Sequence, residues 1–221
     1  MGRAWAIIVA AGAGRRFGAA KQFALLQGRP LYEWSLAAFE RHEDVEGIVL
    51  VLPAEGTGRQ QPALWGKLQA IVAGGKERQD SVLNGFRRVP AGEDRIVLVH
   101  DAARPLVSPE LISRVIQAAG EKGAAVPGLP IEDTVKEASG DTVLRTLDRT
   151  SLVRVQTPQG FLYPWLERAL EDAAAGGFIG TDEAMLVEKT GKSVALVAGD
   201  PRNIKITTPL DLKIAEAMID D

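Results

Sequence analysis

Short runs of Val, Ile, Leu and Ala recur along the chain, at residues 6–9, 48–52, 96–99, 124–126 and 194–197, with polar and glycine-rich stretches between them. Runs this short, β-branched and bounded by turn formers predict strands buried on both faces. Between several of them the apolar spacing changes. Leu31, Trp34, Leu36 and Phe39 fall at near-helical intervals, as do Leu111, Val115 and Ala118, which predicts amphipathic helices. Strand, helix and strand in alternation predict an α/β fold: one mostly parallel twisted sheet with helices on both faces. Three helix starts are marked by a hydroxyl followed by residues suited to a first turn: Ser108 before Pro109 and Glu110, Thr181 before Asp182 and Glu183, and Thr208 before Pro209.

One segment breaks the rhythm. Residues 134–136 and 143–147 are short β-prone pieces around Ala138, Ser139, Gly140 and Asp141, a hairpin-like excursion within about residues 130–151. Such an arm cannot bury its own faces and is marginal alone in water, so it is expected to pack on a second copy of the chain as a homodimerisation arm.

Composition narrows the class. A length of 221 residues suits one domain over 1–221 with a well-buried core, and 46% hydrophobic with 25% charged residues is ordinary for a globular protein. A net charge of -3 supplies no basic field for long nucleic acid, which is held mainly by phosphate neutralisation. With no cysteine, neither disulfides nor thiolate catalysis enters. The opening MGRAWAIIVAAG is too short an apolar run for a secretion signal, and no stretch approaches the length of a membrane span, so the expected compartment is the cytoplasm.

Candidate chemistry begins where the first strand ends, in AAGAGRRFGAAKQ, from Ala10 to Gln22. Small residues such as Ala10, Ala11, Gly12, Ala13 and Gly14 let the backbone approach a ligand closely, and successive amides in such a turn make a concavity for phosphate oxygens. Arg16 and Lys21 add fixed positive charge, so a nucleoside triphosphate is the natural guest. A dinucleotide fingerprint needs a third glycine where Phe17 stands, and the lysine-serine or lysine-threonine ending of a Walker A loop is absent. A turn that merely reverses the chain would not need two arginines and a lysine.

A second cluster, His100, Asp101, Ala102, Ala103, Arg104 and Pro105, closes the run at 96–99. Ligands of open α/β sheets bind outside the carboxyl ends of the strands, which places this cluster beside the first loop. Asp101 is suited to Mg²⁺ or to substrate hydroxyls, or else to capping a helix. His100, closing a buried strand, reads as a packing residue. Further along, GGKERQDSV from Gly74 to Val82 is a glycine turn before a polar helix start at Asp80 and Ser81, suited to base, ribose or phosphate contacts.

With these pieces in order, the sequence resembles the 2-C-methyl-D-erythritol 4-phosphate cytidylyltransferases over essentially its whole length. The resemblance rests on AAGAGRRFGAAKQF, GGKERQDSV, VHDAARP, EDTVK, LDRTSL, QTPQGF, TDEAMLVE and NIKITTPLDL, in that order. It implies a single-domain Rossmann-like nucleotidyltransferase fold, CTP and methylerythritol phosphate as substrates, Mg²⁺ as cofactor and a homodimer. Ala10, Ala11, Gly12, Ala13 and Gly14 would form the CTP loop, with Arg16 and Lys21 on its phosphates as catalytic cations. Gly75, Asp80 and Ser81 would lie near cytosine and ribose, Asp101 and Arg104 near the sugar phosphate, and Lys205 near the reacting phosphates. Ala102, Thr157 and Thr181 complete the implied substrate set. Thr134 and Arg149 match positions that reach the sugar phosphate in the neighbouring subunit's site. One departure is that Ala20 precedes Lys21 where the family usually has proline and often a longer spacer, so the loop here is tighter.

The implied reaction is in-line attack of the sugar phosphate on the α-phosphorus of CTP, for which charge stabilisation rather than a general base is the requirement. The alternatives are a ribitol 5-phosphate cytidylyltransferase, which shares the CTP loop, a nucleotide-sensing module without chemistry, and, more remotely, a nicotinamide dehydrogenase.

Overall fold

A computed structural model of the chain describes residues 3–12, 17, 21–57 and 65–220. Its scaffold is a sheet of eight strands. Strand β1 (Ala4–Val9) leads through β2 (Leu25–Leu26) and β3 (Arg29–Pro30), a small pair apart from the sheet, into α1 (Leu31–Arg41) and β4 (Val45–Leu52). Then come β5 (Leu68–Ala73), α2 (Arg78–Phe86), β6 (Ile96–Asp101), α3 (Pro109–Lys122) and β7 (Ala124–Pro130). The hairpin β8 (Lys136–Ser139) and β9 (Thr142–Thr146) follows, then β10 (Val153–Val155), β11 (Gln159–Leu162), α4 (Tyr163–Gly176), α5 (Glu183–Lys189), β12 (Ala195–Ala198) and α6 (Pro209–Asp220).

The parallel core runs β5, β4, β1, β6. All five expected strands are present, and the expectation of a mostly parallel sheet holds with two exceptions. Strand β11 runs antiparallel between β6 and β7, and β10 is also antiparallel to β7. The period-two alternation divides the core cleanly. Ala6, Ile8, Ile48, Leu50, Leu52, Ile96 and Leu98 face α1 and α3, against Tyr32, Leu36, Phe39, Leu111, Ile112 and Val115. Ile7, Val49, Val51, Val97 and Val99 face the other way, against Val82 and Phe86 of α2, Leu166 and Leu170 of α4, and Leu186 and Val187 of α5. Helices therefore cover both faces, as α/β alternation requires.

Several local expectations shift. Ser108 caps α3 as expected, its hydroxyl accepting from Leu111 N, and Gly123 ends that helix at φ 89°. Thr208 Oγ1 accepts from Asp211 N at the start of α6. At α5 the cap is Asp182 rather than Thr181: the Asp182 carboxylate accepts from Met185 N at 2.9 Å, an ionised acceptor suited to the helix start. Helix α2 begins at Arg78, before the Asp80 and Ser81 start expected from sequence, because Asp80 acts from inside the first turn, accepting from Glu77 N at 3.0 Å. Strand β12 is not buried on both faces; it lies alongside β7 with Leu196 exposed. Strands β5, β10 and β11 carry weaker apolar signals and were not anticipated. The hairpin is present, but its first strand starts at Lys136 and not at Thr134, and its turn is made by Gly140, φ 55°, with Asp141. Every residue of β8 and β9 is exposed.

Candidate functional site

The carboxyl ends of β1, β5 and β6 open onto one cleft of about 310 Å³. Its floor is tied to the sheet by backbone bonds: Ala10 N donates to Val51 O, Gly74 N to Leu52 O and Ala102 N to Val9 O. The segment carrying Lys205 is brought alongside by Ile206 N, which donates to Ala103 O at 2.8 Å. The cleft thus gathers Ala10, Ala11, Gly12, Lys21, Gly75, Ser81, Asp101, Ala102 and Lys205, drawn from four separate stretches of sequence. Ala13, Gly14 and Arg16 lie outside the described residues.

Close packing explains the glycine turn. A Cβ on Gly74 would stand 2.2 Å from Ala11 Cβ, and one on Gly75 would stand 2.2 Å from Asp80 Cβ. The Ser81 hydroxyl donates to Glu77 O and accepts from Gly75 N, so it braces the turn on which the cleft wall depends. Asp80 is likewise engaged at the start of α2 and does not line the cleft.

Asp101 is the electrostatic centre. Lys205 Nζ lies 2.6 Å from Oδ2, and Arg78 Nε lies 3.0 Å from Oδ1. Arg78 Nη1 also sits 2.7 and 2.8 Å from the two oxygens of Glu183. Burial alone would raise the Asp101 carboxyl, but the Arg78 guanidinium and the Lys205 ammonium outweigh it and hold the group well below the usual carboxylate range. Burial pushes Glu183 up, with Arg78 acting against it. Lys21 Nζ donates to Ile206 O at 3.0 Å, which ties the loop's lysine to the strip that carries Lys205.

Behind Asp101 stands a buried polar relay. His100 Nε2 lies 3.2 Å from Arg104 O, which can only accept, so Nε2 carries the proton. Nδ1 then accepts from the Thr157 hydroxyl, and Thr157 Oγ1 accepts from Asp101 N at 3.1 Å. Burial lowers His100 to about 3, so it stays neutral, consistent with a packing residue. Thr157 therefore holds Asp101 from behind and does not line the cleft. Arg104 donates to Asn203 O at 2.8 Å and to Val155 O, bracing the walls beside the cleft. Thr181 is exposed and contacts Met185 Sδ at 3.7 Å. Thr134 and Arg149 are not brought to this cleft. Arg149 donates to Glu132 O at the foot of the hairpin and lines a separate hollow of about 450 Å³ beside β7, β10 and β12.

The sequence reading missed Arg78, Glu183 and Gln22, all at or just behind the cleft. Arg78 stood in view within GGKERQDSV, but its two partners are distant in the chain, Glu183 by 105 positions, and no spacing rule connects them. As to a metal, no group of three acidic or histidine side chains gathers among the described residues. Both Asp101 oxygens face cations. The donor set fits a Mg²⁺ that arrives on triphosphate oxygens with at most one protein carboxylate, and does not fit a metal held by protein ligands alone. Among the described residues, no helix is long and apolar enough to cross a membrane.

A small-residue loop, two lysines and a pinned aspartate at the carboxyl ends of a mostly parallel sheet define a nucleotide-handling α/β protein of the nucleotidyltransferase class. Comparison with known proteins makes the class particular. The family model IspD, 2-C-methyl-D-erythritol 4-phosphate cytidylyltransferase, matches residues 4–221, and the chain belongs to that family. The 2-C-methyl-D-erythritol 4-phosphate cytidylyltransferase of Geobacillus kaustophilus is 46% identical over 97% of this chain and 96% of its own. The enzyme of that name from Geobacter metallireducens is 44% identical over 97% of each. Among solved structures, that of the Thermus thermophilus enzyme is 37% identical and superposes with a TM-score of 0.82, covering 97% of this chain and 98% of that one.

Proposed function

We propose that this chain transfers the cytidylyl group of CTP to 2-C-methyl-D-erythritol 4-phosphate. An oxygen of the sugar phosphate attacks the α-phosphorus, the bond from that phosphorus to the bridging oxygen of the β-phosphate breaks, and pyrophosphate leaves. The phosphate is already anionic near neutral pH, so no general base is needed. The difficulty is the approach of two anions and the charge that builds on the α-phosphoryl oxygens and the leaving group. The observation that carries the reading is the convergence of Lys21 and Lys205 on one cleft floored by Ala10, Ala11 and Gly12.

Lys21, joined by Arg16 from the same loop, is suited to the triphosphate, and Lys205 to the phosphates that react. Mg²⁺, with Asp101 as the one protein carboxylate suited to it, would neutralise triphosphate charge when bound. Thr134 and Arg149 would serve a second copy's cleft through the exposed hairpin, making a homodimer, and cytoplasmic residence belongs to the same reading.

The test is pyrophosphate release with CTP and with the three other common nucleoside triphosphates, each offered methylerythritol phosphate or ribitol 5-phosphate. Release confined to CTP with methylerythritol phosphate is expected. Preference for ribitol 5-phosphate would move the chain to a different acceptor, and CTP binding without release would make it a sensor.

A further inference from the structure

Glu183 is 1% exposed, opens α5 and does not line the cleft, so it does not meet substrate. Both of its oxygens face Arg78 Nη1, which donates only, so the carboxyl stands there as an ionised acceptor. An enclosed carboxylate persists only when paired, and removing its partner is strongly unfavourable. The guanidinium is a rigid planar fork, so seating Nη1 on Glu183 fixes the direction in which Nε points. Nε meets Asp101 Oδ1 at 3.0 Å, and that leaves Oδ2 turned toward Lys205. The two ends of this row differ in exposure: the Glu183 side chain is 1% exposed and that of Lys205 37%. The buried end is fixed and the open end can move.

We propose that Glu183 is a positioning residue for nucleotidyl transfer. By anchoring Arg78 it keeps a permanent cation on Asp101, so that Lys205 can leave Asp101 for the substrate phosphates without exposing a bare carboxylate to them. This rests on the cytidylyl-transfer reading. Asp101 must be oriented close to anionic substrates, and an unneutralised carboxylate there would repel them. A single lysine cannot both neutralise Asp101 and serve the reacting phosphates. Arg78 resolves the conflict only while Glu183 stops it from swinging into the cleft itself. All four oxygens of Glu183 and Asp101 face Arg78 or Lys205, so the two carboxylates are neutralised by side-chain cations.

The test uses the full chain and three variants: Glu183→Gln, Arg78→Lys, and the two combined. Glu183→Gln keeps the shape and removes the charge. It is expected to lower kcat by at least about 10-fold, as misplacement of reacting groups does, while KM for CTP stays within about 3-fold. Arg78→Lys, which keeps the charge but loses the fork, is expected to show the same split, and it decides the matter if Glu183→Gln does not fold. Because the two act as one unit, the double variant should be no slower than the worse single. A kcat within about 2-fold of wild type in a folded Glu183→Gln or Arg78→Lys protein, or losses that multiply in the double, would overturn the proposal. Crystal structures supply a readout independent of turnover: in Glu183→Gln the Asp101 carboxylate is expected to move by about 1 Å or more, enough to matter for reaction geometry. An unmoved carboxylate would overturn the anchoring, whereas a wild-type protein that forms no product overturns the cytidylyl-transfer reading and leaves the anchoring to be judged on that displacement.

Discussion

At the scale of single residues, the cleft separates groups that work by charge from groups that must stay neutral. Lys21 belongs to the first kind. Lys21→Ala is expected to lower kcat on the order of 10²-fold, comparable to loss of one preorganised donor, with a smaller change in KM for CTP; steady-state kinetics check it. His100 belongs to the second. Unfolded, the ring takes a proton near 6.5; in the fold burial lowers this to about 3. Between those values the unfolded chain binds one more proton than the folded one, so stability falls as pH drops from about 6.5 toward 3. The slope is about 1.4 kcal/mol per pH unit from this group. Protonation would also force Nδ1 to donate, breaking its bond from Thr157, which steadies Asp101. Denaturant titrations between pH 7 and 5 should show the wild type losing stability as pH falls, and His100→Asn should be less stable at pH 7 but lose less over that range, by about 1 kcal/mol per pH unit.

At the scale of elements, the carboxyl ends of β1, β5 and β6 matter more than any one side chain, because they carry the glycine turn and α2 to the cleft. Gly75→Ala would drive a methyl into Asp80, which both caps α2 and abuts the turn. The expected cost is about 1–3 kcal/mol of stability, as for overpacking, together with a raised KM for CTP, read by thermal melting and kinetics. These elements also show what the sequence could reveal. Strands β1, β4 and β6 are legible because both faces are apolar, and the small-residue loop after β1 because phosphate chemistry demands it. Strand β11 is not legible: Gln159, Gly160, Phe161 and Leu162 include a buried glutamine held by Asp182 and a glycine pressed against Val115, and neither has a local signature. The Arg78 bridge was hidden for a related reason. Its two carboxylates come from β6 and α5, and only the folded sheet sets them on either side of one guanidinium.

At the scale of the whole molecule, the hairpin β8–β9 stands clear of the core, with Val143 and Leu144 each 58% exposed. If that arm reaches a second copy, Arg149→Ala should chiefly raise KM for the sugar phosphate. At sub-saturating sugar phosphate, a mixture of Arg149→Ala with Lys21→Ala should exceed the sum of the two variants measured separately, since one hybrid site would then carry both side chains; no excess would argue that each copy works by itself. The antiparallel insertion of β11 has a bearing on how the molecule comes into being. The partners of β6 are β1, made earlier, and β11, made later, while those of β7 are β10, β11 and β12, all made later still. A chain emerging from the ribosome can therefore zip β1, β4, β5 and β6 in order, but it must hold β7 and the hairpin in waiting until residue 162 has been synthesised, with one edge of β6 open meanwhile. Thr157 and Lys205, which touch Asp101 from behind and from one side, and Glu183, which reaches it only through Arg78, all emerge after it, so the nascent protein builds its sheet first and completes the charges of its cleft last.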